Sequence, residues 1–419
     1  MRHSTHLAYL IAEAMAKQSN VKQAYRQWRD NFDFQERKEI LQLLFEQSIN
    51  TKNYEVILDW LVIFVRHYCV DELIPEVQRQ HDTIFASSLL EKIRSTQLVA
   101  YSDLTVDLHN HLCQAVASIL DDKRQLLPSM KRAEAALLLG KLGDPRFPIL
   151  VPEWRREIAR ALRGDNSGYL CRVEPGIYIL GSNDSDIDAR ESEKPQHTVV
   201  IKTPFLISRY PITNIQWSEW LRHGEGITSQ TTHANIDFPN QPIVGMRMSE
   251  INDFCKWLSN QVGRTMQLPS ESQWEAAARG IDARLYPWGN NWQEDHAATQ
   301  EEQPSLRWKG TIQLHTCSTE KQEDDIEMRE DHTSDAIPVG CYPVGASPCG
   351  AMDMAGNVWE LTTDVWESYK HANIPFLEPY YNVRRGGSYK DDKSKARCAA
   401  RIGADKDYAL GFRIISPRV

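Results

Sequence analysis

The chain changes texture at residues 163–168, "RGDNSG". Upstream, Ile57, Trp60, Leu61 and Phe64 fall at i, i+3, i+4 and i+7, and Ala133, Ala136, Leu137 and Gly140 repeat that spacing. Each segment therefore carries one apolar helical stripe to bury. "NTKN" and "LDDKRQLLPS" read as turns between helices, and "KRAEAALLLGKLGDPRFP" resembles one HEAT-type unit. Downstream, Gly, Pro, Trp and Tyr become frequent and short strand-like runs alternate with a few helices. One architecture does not accommodate both textures. The expected organisation is an all-α helical bundle or HEAT-like domain over 1–165 and an α+β domain rich in irregular structure over 170–419.

In the second part, helix starts are legible. Thr213 with Gln216 and Ser270 with Gln273 have the spacing of capping boxes, Gly280 is a stop, and Ser249 opens a helix whose Ile251, Phe254, Cys255 and Leu258 share a face. Residues 293–337 form an insert whose later half is acidic and lacks periodicity, read as a solvated segment or a docking segment for a protein partner.

A formal net charge of −9 argues against nucleic acid or an anionic membrane surface as the main partner. "EVILDWLVIFVRHYCV" contains Asp59 and Arg66 and is too short to span a bilayer, so a buried helix is expected there. No export signal is visible at the start. The eight cysteines contain no CxxC pair, which leaves reduced thiols in a cytoplasmic protein as the expectation.

The motifs after residue 170 occur in a fixed order: "RVEPGIYILGSNDSD", "EKPQHTVVIKTPFLISRYPITNIQW", "QPIVGMRMSEINDFCKWLS", "LPSESQWEAAARG", "YPWGNNW", "PVGASPCGAMDMAGNVWELTTD", "RRGGSY", "RCAAR" and "GFRI". Together they resemble the formylglycine-generating enzyme (sulfatase-modifying factor) family, which implies a C-type lectin-like fold. Read from chemistry alone, the glycines permit turns, the Trp of "GNVWEL" is a buried anchor, and Glu360 is placed to hold a cation or a backbone amide. Arg384, Arg397, Arg401 and Arg413 suit a network bridging carboxylates and carbonyls.

The resemblance implies two cysteines, three and eight residues after the Ser of "GGS", that bind copper(I) as thiolates. Here those positions are Asp391 and Ala396, and the loop to "RCAAR" is three residues shorter, so Cys398 aligns with a framework cysteine. The His-rich iron set of the sulfoxide-synthase branch, HxxxHxE, does not occur among the 13 histidines. The nearest pair, His109 and His111, would point about 200° apart on a helix. Neither copper nor iron is therefore expected, and the chain is expected not to be an enzyme. The resemblance does imply one structural calcium site, from Asp353, the carbonyls of Gly356 and Val358, and Glu360, a hard all-oxygen set. A second family site aligns with Ala298 and is expected to be lost.

The functional expectation is a non-catalytic protein-binding or regulatory protein, in a bacterial signalling or defence setting. The expected binding residues are Tyr389, Lys390, Asp391, Asp392, Lys393, Arg401, Asp405 and Tyr408. Two alternatives stand beside it. One is a diversified ligand-binding protein of a diversity-generating retroelement, against which Lys390, Lys393, Lys395 and Lys406 weigh because randomised Asn codons seldom yield lysine. The other is an enzyme with altered chemistry, using Asp391, Asp392, Arg401 and Tyr408 as acid or base if they converge.

Overall fold

The computed structural model describes residues 39–45, 54–70, 72, 74–95, 103–224, 227–228, 231–302, 336–366, 381–403 and 409–417. Two compact units emerge. One comprises Met1–Ile119 with Leu138–Pro145, and the other Leu120–Leu137 with Arg146–Val419.

The first unit is helical where it is described. Helix α1, Tyr54–Phe64, runs into a π-helical turn, Val65–Cys69, and is followed by α2, Glu76–Ser95, and α3, Asp103–Asp121. The apolar stripe expected on α1 is buried at Trp60, Leu61 and Phe64, and Phe64 stacks on Tyr68 at 4.8 Å. His109 and His111 diverge, as the helical geometry requires. His109 turns to Arg94 Nη1 at 2.6 Å and to the Leu142 carbonyl at 2.8 Å, while His111 is exposed. Among the described residues no helix is long and apolar enough to cross a membrane, and no group of three or more His, Cys, Asp or Glu is placed to hold a metal.

The second unit begins upstream of the change in texture. Helix α4, Ser129–Leu142, contributes its residues up to Leu137, and α5, Val151–Leu162, follows. Arg132 is buried and donates to the carbonyls of Leu127 and Cys341 and to Asp295. Trp154 of α5 packs edge-on against Tyr169 at 5.2 Å. Three small sheets come next. Strands β1 (Leu170–Val173), β4 (Phe205–Ser208) and β9 (Ile415–Pro417) form one antiparallel sheet in that order, so β4 pairs with both the first and the last described strand of this unit. Strands β2 (Gly176–Leu180) and β3 (His197–Ile201) form a hairpin. The third sheet has the order β7 (Arg401–Ile402), β6 (Asn382–Arg385), β5 (Trp359–Val365) and β8 (Leu410–Gly411).

Helices α6 (Asn214–His223), α7 (Met248–Val262) and α8 (Glu271–Arg279) pack around these sheets. Both capping boxes form. Gln216 Oε1 accepts the Thr213 N–H at 3.1 Å, and Ser270 and Gln273 exchange bonds of 2.9 and 3.1 Å. Gly280 ends α8 at φ +67°. Helix α7 starts one residue before Ser249, at Met248, because Glu250 caps the Arg247 N–H. Its Ile251, Phe254, Cys255 and Leu258 are buried, and Phe254 joins Trp217 and Phe412 in the main aromatic core, at 5.4 and 5.7 Å. Residues 303–335 of the acidic insert lie outside the described residues.

Candidate functional site

Strands β5 and β6 pair in antiparallel register, Glu360 opposite Arg385 and Leu361 opposite Arg384, and deliver the chain to the 386–396 loop. Gly387 makes the turn at φ +74°, where an added Cβ would stand 2.8 Å from the Lys395 carbonyl. Only glycine fits both conditions. The loop then folds onto Asp391. Its Oδ2 accepts the Ser388 N–H at 3.0 Å, the Ser388 hydroxyl at 2.5 Å and the Trp359 indole N–H at 2.8 Å. The Asp391 carbonyl accepts the Gln300 N–H at 2.9 Å, and Glu301 accepts the Lys393 N–H at 2.9 Å. Asp392 caps the Ser394 N–H, and those Ser394 bonds hold its carboxyl below the usual range. Burial, and after it the Arg190 charge, lowers the Lys395 ammonium.

The residues expected to form a displayed binding set thus divide. Lys390, Asp392 and Lys393 are exposed. Tyr389 is not displayed: only 4% exposed, it packs with Ala336, Val358 and Ala409, and Lys390 Nζ lies over its ring at 5.4 Å. Asp391 is half-buried and bound to the framework. Arg401 is 2% exposed, chelates Glu271 at 2.6 and 2.9 Å and lies 4.5 Å over Trp366, so it does not converge with the loop carboxylates as an acid or base. Asp405 and Tyr408 lie outside the described residues.

Three members of the expected arginine network, Arg397, Arg401 and Arg413, bind carboxylates distant in sequence, and Arg385 joins them. Arg397 binds both oxygens of Glu193 at 2.8 and 3.0 Å, and Asp186 at 2.6 Å. Arg385 bridges Glu271 and Glu275 at 2.6 and 2.8 Å, and Glu275 also holds Arg279. Arg413 chelates Glu360 with two bonds of 2.6 Å, and the Trp274 indole donates to the same carboxylate at 2.6 Å.

That last arrangement bears on calcium. Glu360 already accepts three short hydrogen bonds, two of them from the buried Arg413 cation, so a divalent ion beside it would face that guanidinium. Asp353 accepts the Gly340 N–H at 2.7 Å, and burial raises its carboxyl to about 6. Glu360, the closing carboxylate of the expected calcium set, is thus committed to Arg413 and Trp274 in this arrangement. Copper does not fit. The positions that the resemblance gives to its thiolates are Asp391 and Ala396, neither of them a thiol, and the nearby Cys398 is fully buried, its thiol pushed up to about 12 by burial.

A sequence model of the sulfatase-modifying factor enzyme 1-like domain matches residues 157–417. The chain belongs to that family. It is 24% identical over 322 residues to the formylglycine-generating enzyme of Thermomonospora curvata, covering 63% of this chain and 98% of that one. It is 28% identical over 231 residues to the formylglycine-generating enzyme of Mus musculus, covering 52% of each chain. The hercynine oxygenase of Mycobacterium tuberculosis is 26% identical over 255 residues, covering 51% of this chain and 52% of that one. The chain therefore spans about half the length of these last two relatives. Among solved structures, PvdO from Pseudomonas aeruginosa aligns with a TM-score of 0.44 and 21% identity, covering 59% of this chain and 93% of that one. These names correct the expectation that the chain is not an enzyme, because the relatives it matches are named as enzymes.

Some features of the site were not anticipated from sequence. Arg132, in the helical stretch, carried no local sign that it would reach Cys341 and Asp295. The Glu275 and Arg279 pair was visible as an i, i+4 spacing. The cluster of Tyr286, Trp288, Trp292 and His296 was signalled only by the aromatic density of "YPWGNNW".

Proposed function

We propose that the chain is a polypeptide-binding member of the family, holding a protein partner on the solvent side of the 388–396 loop. The observation that carries the reading is a division of labour within nine residues. Ser388, Tyr389, Asp391 and Ala396 are engaged by the framework, whereas Lys390, Asp392 and Lys393 face water on a backbone already held by Glu301, Ser388 and Gln300. A preordered loop with exposed charged tips loses little entropy on docking, and its charges select partner and register. Three charges within four residues suit a polypeptide surface better than a small apolar ligand.

The test is photo-crosslinking from positions 390 and 393 in cells making the full chain, followed by affinity measurement with the captured protein. A K390E/D392K/K393E triple variant, altered at exposed residues of which Asp392 alone also caps the Ser394 N–H, is expected to lose at least about tenfold in affinity. Equal binding by the triple variant, or no specific adduct, overturns the reading.

A further inference from the structure

Next to the loop lies a group of rings that the binding reading does not use. Tyr286 stacks on Trp288 at 5.3 Å with 9° between planes, Trp292 meets the two rings edge-on at 5.3 and 5.6 Å, and His296 lies 5.3 Å from Trp288. Tyr286 and Ala396 share one small apolar cluster, which fixes the rings against the base of the loop. Trp288, Trp292 and His296 are half-exposed. Their orientations are set from within: the Trp288 indole donates to the Asn291 carbonyl at 3.1 Å, and His296 Nδ1 donates to the Glu294 carbonyl at 2.8 Å.

Carboxylates crowd the same segment. Burial, and behind it the charges of Asp295, Glu294 and Glu301, pushes the Glu302 carboxyl up. Asp295 pairs with Arg132, but among the described residues no ion pair holds Glu294 or Glu301. Arg397, the cation nearest Tyr286 in charge effect, is engaged by Glu193 and Asp186. The Tyr342 hydroxyl, in a side chain 2% exposed, has no hydrogen-bond partner and lies in the field of Glu302 and Asp295.

The fold also contains an internal example of what such a surface binds. The Arg132 guanidinium sits 5.5 Å over the Tyr342 ring while its Nη2 pairs with Asp295 at 2.7 Å. A ring face and a carboxylate together satisfy one cation there, and the half-exposed indoles and exposed Glu294 and Glu301 offer both kinds of group on the neighbouring segment.

We propose that the Trp288, Trp292 and His296 face, rimmed by Glu294 and Glu301, docks a cationic segment of a polypeptide, with a Lys or Arg side chain laid across the indoles. The inference rests on the polypeptide-binding reading and names the partner's chemistry: a basic stretch engages the aromatic face while the flanking chain meets the 388–396 loop.

The test uses the full chain and two labelled nonapeptides, one with three Lys and Arg separated by Gly and Ser, the other with Glu at those three positions. Fluorescence anisotropy is expected to show at least about tenfold tighter binding of the basic peptide, weakening several-fold between 50 and 300 mM salt. E294Q/E301Q, which removes charge from exposed side chains, and W292A, checked by its melting curve, are each expected to weaken that binding about tenfold. Equal affinity for the two peptides overturns the inference, as does unchanged binding in E294Q/E301Q. K390E/D392K/K393E is expected to retain the basic peptide. Failure of the peptide arm with an intact crosslinked partner at the loop therefore defeats this inference alone, and the reverse outcome defeats the loop reading alone.

Discussion

Asp353 is fully buried near Glu360 and Arg413, and burial raises its carboxyl from an ordinary 3.8 to about 6. Between those values the folded state binds more protons than the unfolded chain, so stability falls as pH rises from about 4 to about 6 and stays lower above it. A shift of this size corresponds to about 3 kcal/mol. D353N keeps an oxygen to accept the Gly340 N–H and has no proton to lose. Relative to the parent chain, the variant is expected to be more stable at pH 7 than at pH 4 by roughly that amount. Paired urea titrations at the two pH values measure it, and a pH-independent difference would show that the burial cost lies elsewhere. At the same scale, Asp391 and Arg401 illustrate how residue type misleads. Both have chemistry suited to catalysis or ligand binding, and both are committed to neighbours, Asp391 to Trp359 and Ser388, Arg401 to Glu271.

Elements form where local rules and packing agree. The two capping boxes and the stop at Gly280 were legible because each depends on atoms three or four residues apart, and the buried face of α7 followed from its period. The turn between β6 and the loop is likewise local, but its strictness is tertiary. Gly387 needs a positive φ, which any glycine in "GGS" could supply, and it also needs an absent Cβ because the Lys395 backbone passes 2.8 Å from where that atom would be. G387A is therefore expected to cost at least about 2 kcal/mol, more than the left-handed conformation alone, since backbone must move as well. Chemical denaturation reads the cost, and a loss of about 1 kcal/mol or less, the low end for the left-handed conformation alone, would mean that the Lys395 segment yields freely.

For the whole molecule, the change in texture at 163–168 and the compact second unit do not coincide. That unit takes in residues from Leu120, including the buried Arg132 and the Trp154 and Ile158 of α5. A fragment starting at residue 165 would lose these side chains, and Trp154 alone, packed on Tyr169, is worth about 3–5 kcal/mol on truncation. Such a fragment is expected to melt well below the full chain or without a cooperative transition. A fragment with the full chain's melting midpoint would place the core entirely downstream of Gly168.

By itself the sequence determined the family, the order of its landmarks, the helix caps and the glycines, because these are written in nearest neighbours and in short spacings. It also placed Asp391 and Ala396, neither of them a thiol, at the positions where the resemblance implies a thiolate pair. Only the tertiary structure decided which charged side chains remain available. Glu271 meets Arg401 across 130 residues and Arg397 meets Glu193 across 204, and these pairings leave Lys390, Asp392 and Lys393 facing water while Tyr389 and Arg401 are withdrawn. The physical reason is desolvation. A buried charge is costly unless paired, so the fold assigns its partners before any ligand can, and no local spacing records that assignment.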